Sequence, residues 1–148
     1  MAATRLPGKP LLKINNLSII SHVFKKAEEA NIGEVVVATD DQEILKDVIQ
    51  NGGKAILTNK NHKTGTDRIY EAYEKLDIKN IDYILNLQGD EPDINKDDII
   101  NLNNLMIDQD AELGTLAAKI KDDKMFNNKN VVKVITDKKL EESNFPIA

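Results

Sequence analysis

The 148-residue sequence predicts an α/β protein in which a mostly parallel, mixed sheet lies between two layers of helices. Short apolar or β-branched runs alternate along the chain with segments whose apolar residues recur at helical spacing. Glycines, prolines and capping residues separate these segments, and short connections of this kind favour parallel strands joined by crossover helices. A chain of this length is expected to form one domain, residues 1–148.

Five strands are predicted from short runs of apolar and β-branched residues that end at turn-forming residues. Polar segments bound these runs, and residues 59–68 form one such polar loop. The predicted strands are residues 34–39, 54–58, 83–87, 113–120 and 131–136.

Four helices are predicted between these strands, and three of them carry start signals. Ser18 can cap the first, Asp40 and Glu43 have the spacing of a capping box for the second, and Asn95 can cap the fourth. Gly33 follows the first helix, as expected at a helix end. The apolar faces and caps predict helices over residues 19–30, 42–50, 69–76 and 97–107.

The predicted strand at residues 83–87 is followed by a polar tip that contains Asp90 and Glu91. Ligands of open α/β sheets bind beyond the carboxyl ends of the strands. A carboxylate at such a tip, together with phosphates of a substrate, is a common way to hold Mg²⁺. We therefore predict that Asp90 lies where a metal-bound substrate sits. The alternative is a strand end followed by an ordinary acidic turn.

The first 27 residues contain no Asp or Glu, although the chain as a whole carries a net charge of -5. Arg5 and Lys9 lie here in an irregular loop, residues 4–10, in which Gly8 permits close approach of the backbone to a ligand. A guanidinium fork and an ammonium group both suit phosphate oxygens. The alternative is a basic N-terminal tail.

Composition excludes several classes of protein. The chain has no Cys, so it has neither a disulfide framework nor a Cys-based zinc site. Its acidic balance argues against a general nucleic-acid binder. No apolar run reaches membrane-spanning length, so we expect no membrane insertion and a cytoplasmic location.

Five short motifs occur along the chain: RLPGKP (5–10), VATD (37–40), TGTDR (64–68), NLQGDEP (86–92) and VVKV (131–134). In their order and spacing, they resemble those of the 3-deoxy-D-manno-octulosonate (Kdo) cytidylyltransferases, or CMP-Kdo synthetases. The resemblance implies the nucleotide-diphospho-sugar transferase (Rossmann-like) form of the α/β fold. It also implies that CTP and Kdo give CMP-Kdo and pyrophosphate with Mg²⁺, for lipopolysaccharide synthesis in the bacterial cytoplasm.

The resemblance implies a nucleotide-binding role for residues of the first and third motifs. Arg5 and Lys9 would bind the triphosphate and stabilise charge on the leaving pyrophosphate. Gly65 and Thr66 would lie beside the cytosine, and Arg68 would support their loop.

The fourth motif would supply the metal and sugar ligands. Asp90 would hold Mg²⁺ between triphosphate oxygens, and Gln88 would hydrogen-bond the sugar acid. The anomeric hydroxyl would attack the α-phosphorus in line. No general base is predicted, because a single loop histidine such as His62 is more often a solvated or capping residue.

The sequence departs from the family pattern at both ends. The family's first strand has no counterpart, and neither does the C-terminal portion that carries a second Mg²⁺-binding aspartate and much of the dimer contact. Residues 140–148 also match poorly. We therefore expect residues 1–148 alone to be poorly stable, prone to self-association and nearly inactive. The alternatives are a cytidylyltransferase for another sugar acid, such as a sialic acid, or a non-catalytic nucleotide-binding fragment.

Overall fold

A computed structural model of the chain describes residues 8–139 and residue 142. The chain divides into two compact units, Met1–Ala111 and Glu112–Ala148. The predicted phosphate ligand Arg5 lies outside the described residues. The expected single-domain organisation stays a prediction.

The first unit begins with a 3-10 helix and a short hairpin. Gly8 has a φ of 73° and precedes the 3-10 helix Lys9–Leu11. The strands β1 (Lys13–Ile14) and β2 (Leu17–Ser18) then pair in antiparallel fashion. Their two-residue turn uses Asn15 and Asn16 at φ values of 50° and 66°. Asparagine tolerates this left-handed conformation, so the Asn-Asn pair was the sequence signal for a hairpin that we did not predict.

Helix α1 (Ile19–Ala30) begins and packs as predicted but ends before Gly33. The Ser18 hydroxyl caps it by accepting from the amide of Ser21. Asn31, at a φ of 50°, takes the left-handed C-terminal position that we had assigned to Gly33. The apolar face is buried and forms most of the core: Ile19, Ile20, Val23, Phe24, Ala27 and Ala30.

A parallel pair of strands joined by a helix follows. β3 (Val37–Thr39) and β4 (Ala55–Leu57) pair in the register Val37 to Ala55, and α2 (Gln42–Gln50) connects them. Both strands are shorter than predicted. Asp41, not Asp40, caps α2 by accepting from the amide of Glu43.

Buried polar and apolar contacts join α2 to α1. The Asp47 carboxylate of α2 accepts from the hydroxyl of Ser18 and, at 3.0 Å, from that of Ser21. After α2, a Cβ atom on Gly53 would lie 2.7 Å from both Phe24 Cζ and Val48 Cγ1. Glycine at this position therefore lets the chain approach the core closely.

The remaining helices of this unit are α3 (Gly65–Leu76), which packs on β3 and β4, and α4 (Lys96–Asp108), which packs on α1. Asn95 caps α4 as predicted. α3 starts earlier than predicted, because Thr64 and Asp67 form a capping box within the segment that we had assigned to a loop.

The predicted central strand, residues 83–87, is not paired as a strand in the described part of the chain. Its side chains alternate between half-buried and exposed, whereas the prediction was made from a short apolar run bounded by turn residues. A strand is stabilised by hydrogen bonds to a neighbouring strand, and β3 pairs with β4 alone among the described residues.

In the second unit, residues 112–139 and 142 contain the helix α5 (Asp123–Asn127), capped by Asp122. Residues 113–120 and 131–136, which were predicted as strands, are not strands in this part of the chain, because no neighbouring segment of the described residues pairs with them. Large apolar side chains are exposed there, including Leu113 and Val132. Of the helices described in either unit, none is both long and apolar enough to cross a membrane.

Candidate functional site

An ion pair joins the two segments that were predicted to bind phosphate and metal. The Nζ of Lys9 lies 2.9 Å from Oδ2 of Asp90, although 81 positions separate the two residues. Lys9 opens the 3-10 helix directly after Gly8. Both side chains are partly exposed, so the pair faces a surface that a ligand can reach.

Asp90 occupies a turn that is held against the core. The amide of Glu91 donates to the carbonyl of Gln88 at 3.3 Å, which closes the turn. A Cβ on Gly89 would lie 2.5 Å from Cδ1 of the buried Ile20, so the turn rests directly on α1. The exposed Gln88 side chain, the predicted sugar ligand, contacts Asn86 through its amide group at 3.5 Å.

Asp90 also borders an acidic surface depression of about 490 Å³. Its other acidic lining residues are Glu91, Asp93 and Asp98. No group of three or more His, Cys, Asp or Glu side chains within residues 8–139 and 142 is arranged to hold a metal ion. A single carboxylate nevertheless fits Mg²⁺, which keeps several waters and takes its other ligands from substrate phosphates.

A second group of predicted site residues lies at the start of α3. Gly65 and Thr66 form its exposed first turn. The capping box uses the amides of Thr64 and Asp67. By contrast, the amides at the first two helical positions have no acceptor within a helix. Those of Gly65 and Thr66 are therefore suited to oxygen atoms of a ligand.

Arg68 joins this turn to the carboxyl ends of both parallel strands. Its guanidinium donates to Thr58 Oγ1 at 2.6 Å and to the Asn59 carbonyl at 3.5 Å, and lies 3.1 Å from Asp40 Oδ2. The side chain is only 17% exposed. Because these contacts occupy its donors, the geometry favours a supporting role for Arg68 over direct contact with a nucleotide.

Asp40 was predicted only as a helix cap within the VATD motif, and no role was predicted for Glu71. Asp40 follows β3 directly, and its place at a strand end was the available signal. Glu71 contacts His62 Nε2, so the loop histidine has a structural partner. Within the described residues, no ion pair joins the Lys9–Asp90 group to the group around Arg68.

The parallel strands β3 and β4 with their connecting helix define an α/β protein. The chain belongs to the cytidylyltransferase family, whose model matches residues 1–147. A curated relative from Nitrobacter hamburgensis, named 3-deoxy-manno-octulosonate cytidylyltransferase, is 48% identical over 136 residues. That match covers 91% of this chain and 53% of the relative. A protein of the same name from Thermodesulfovibrio yellowstonii is 46% identical over 142 residues, covering 92% and 56%.

A solved structure gives the same result at the level of the fold. It is described as CMP:2-keto-3-deoxy-manno-octonic acid synthetase complexed with CTP, and it matches with a TM-score of 0.67 and 45% identity. The match covers 73% of this chain and 44% of that one. It confirms the predicted fold class, the nucleotide-diphospho-sugar transferase type. The chain spans about half the length of the curated relatives it matches.

Proposed function

We propose that this chain provides the CTP-binding part of a cytidylyltransferase that transfers CMP from CTP to Kdo and releases pyrophosphate. The observation that carries the proposal is the contact between Lys9 and Asp90, which unites a phosphate-type cation and a metal-type carboxylate from distant motifs. The names of the relatives and the bound CTP of the solved structure support the choice of nucleotide and sugar acid.

Lys9 and Asp90 would exchange partners when substrate binds. A partly exposed ion pair contributes about 1 kcal/mol or less, so separating it costs little. Lys9 would then donate to a phosphate oxygen, and Asp90 would hold Mg²⁺ instead of the Lys9 ammonium group. When bound, Mg²⁺ would polarise the triphosphate and neutralise its charge. Arg5 would add a second cation on the triphosphate, as the family resemblance implies.

The base and the sugar acid would bind on either side of the phosphates. The first-turn amides of α3 and the Thr66 hydroxyl would contact the cytosine, with Gly65 leaving room for it. Gln88 would hydrogen-bond the sugar acid. The anomeric hydroxyl would then form its bond to the α-phosphorus as the bond to pyrophosphate breaks, with the chain contributing position and charge neutralisation.

The remaining parts of the proposal concern the whole protein. We propose a cytoplasmic enzyme of bacterial lipopolysaccharide synthesis that acts as a homodimer at full length and binds no nucleic acid. Another sugar acid, such as a sialic acid, is the alternative substrate. The non-enzymatic alternative is a chain that binds nucleotide without catalysis. It is supported by the fact that this chain covers only 53% of a curated relative.

Asp90→Asn tests the proposal most directly. We expect CTP binding to the 148-residue chain, measured by calorimetry, to strengthen with Mg²⁺ and to lose that dependence in Asp90→Asn. The matched control is Asp93→Asn, which removes a carboxylate from the same depression and should leave the Mg²⁺ dependence in place.

Turnover separates the candidate substrates. Pyrophosphate release from CTP would be measured with Kdo and with a sialic acid, in the chain and in a version extended to the length of its relatives. Pyrophosphate release with the sialic acid but not with Kdo would identify the sialic acid as the substrate. CTP binding without release in either version would favour the non-catalytic alternative, and an unchanged Mg²⁺ dependence in Asp90→Asn would contradict the metal assignment.

A further inference from the structure

Three charged side chains of α3, Arg68, Glu71 and Lys75, are spaced by three and four residues and so lie on one face of the helix. Each of them hydrogen-bonds the segment from the end of β4 to the loop before α3, residues 57–62. We propose that this α3 polar stripe (Arg68, Glu71 and Lys75) positions the first turn of α3 to receive the nucleotide base. The inference rests on the proposed function.

The two cations lie at opposite ends of the stripe, and each contacts the segment before α3. Arg68, in the first turn, bonds the Thr58 hydroxyl and the Asp40 carboxylate at the strand ends. Lys75, two turns later, donates to the Leu57 carbonyl at 2.8 Å. Because these contacts hold both ends of the face, α3 is restrained against rotation about its own axis.

Glu71 is the centre of the stripe. Its Oε2 accepts from the amide of Asn59 at 2.9 Å and contacts Nε2 of His62, while its Oε1 lies 2.7 Å from Lys75 Nζ. Only 21% of its side chain is exposed. Bonds to a charged carboxylate are stronger than neutral ones, so Glu71 ties the loop to the helix through strong hydrogen bonds.

The loop held by Glu71 leads directly into the base-binding turn. Only Lys63 separates His62 from the cap Thr64, and Gly65 and Thr66 follow. Without the Glu71 contacts, the loop would lose its bonds at Asn59 and His62, and the ligand would have to order that part of it. Ordering groups on binding lowers affinity, and fixing them beforehand raises it. Glu71 is therefore assigned as a positioning residue for the base end of the nucleotide.

Glu71→Ala removes all three contacts and provides the test. Calorimetry would compare CTP and inorganic tripolyphosphate binding, with Mg²⁺, in the unaltered chain and the variant. We expect CTP affinity to fall by about fivefold or more, at the low end of couplings between sites. Tripolyphosphate affinity should be unchanged, because the phosphate contacts are assigned to Lys9 and Asp90. Glu71→Gln, which can still accept from the Asn59 amide, should recover part of the loss.

Glu74→Ala is the matched control, since Glu74 lies on the same helix and interacts with Tyr70 on that helix. It should leave both affinities unchanged. If thermal melting shows that Glu71→Ala is unfolded, His62→Ala removes one loop contact instead and should weaken CTP binding in the same direction.

Unchanged CTP affinity in folded Glu71→Ala or His62→Ala would overturn this inference and leave the proposed function standing. So would equal losses for CTP and tripolyphosphate, which would show general destabilisation instead of positioning. Failure of the unaltered chain to bind CTP would overturn the proposed function and the inference together, so the two failures are distinguishable.

Discussion

Lys9 and Asp90 bring two side chains of opposite charge together from distant parts of the chain. Their 2.9 Å contact leaves both partly exposed, so each is available to a ligand at little cost. A phosphate oxygen offers Lys9 a charge-assisted hydrogen bond of the same kind as the one it makes to the Asp90 carboxylate. At the residue scale, we therefore propose that Mg²⁺ and a triphosphate together can replace this weak internal pair.

Replacing Lys9 should therefore weaken triphosphate binding. We expect Lys9→Ala to lower CTP affinity about tenfold or more, since a hydrogen bond to a charged group contributes about 1.5–3 kcal/mol. Lys13→Ala is the control, because Lys13 is a nearby exposed cation of the hairpin. Equal CTP affinity in the two variants, measured by calorimetry, would assign Lys9 to the general positive charge of the N-terminal region.

Glu71 gives a prediction about pH. Hydrogen bonds from Lys75, the Asn59 amide and His62, in that order, lower the pKa of Glu71 from 4.5 to about 2. Because the folded state holds the ionised form, this stabilisation is complete above the unfolded pKa and is lost as the pH falls through the folded one. We expect the difference in unfolding free energy between the unaltered chain and Glu71→Gln, measured with urea, to shrink from about pH 5 to about pH 2. A constant difference over that range would contradict the assigned contacts.

At the element scale, the β3–α2–β4 unit depends on how closely the chain passes the core after α2. Gly52 takes a φ of 89° there, and Gly53 follows against Phe24 and Val48. Both of those side chains are buried, so neither can move aside easily. The start of β4, and with it the Thr58 contact of Arg68, is placed by this close approach.

Gly53→Ala should accordingly destabilise the fold. The added methyl would lie 2.7 Å from two core side chains, and such overpacking typically costs about 1–3 kcal/mol. At Gly33 a Cβ meets nothing within 4 Å, so Gly33→Ala should change stability by about 1 kcal/mol at most and in the stabilising direction. Urea unfolding of both variants checks this, and equal stabilities would show that the core adjusts at no cost.

At the scale of the whole molecule, exposed apolar side chains are concentrated in the second unit. Leu113, Val132 and Ile135 are 91%, 90% and 85% exposed. Side chains of this kind promote association when several lie together on a surface. Their sequence pattern is nevertheless that of strands, which are stable when neighbouring strands pair with them.

We expect the 148-residue chain to self-associate with rising concentration, and Val132→Lys with Ile135→Lys to reduce this. The control is Asn101→Lys with Asn104→Lys, which adds the same charge at exposed polar positions of α4. Sedimentation velocity over a range of concentrations would measure both. Equal association in the two double variants, or a monomeric unaltered chain, would contradict the prediction.

The local signals in the sequence were enough to predict the family and the helices α1 to α4, although α3 begins four residues earlier than predicted and α5 was not predicted. Ser18 and Asn95 cap the helices they were expected to cap, because a cap depends on amides only two or three positions away. Likewise, α2 spans Gln42–Gln50 as predicted, although the capping carboxylate is one residue later. The motif spacing pointed to the cytidylyltransferase family, which the family match confirms.

Only the tertiary structure decided which segments pair and which side chains meet. Residues 83–87 form the short apolar run of a buried strand, but strand formation requires a partner that such a run cannot supply. The contacts of Arg68 with Asp40 and of Lys9 with Asp90 join residues 28 and 81 positions apart, and they depend on the packing of whole elements. Sequence thus determined the chemistry available to this protein, while long-range packing decided where that chemistry is assembled.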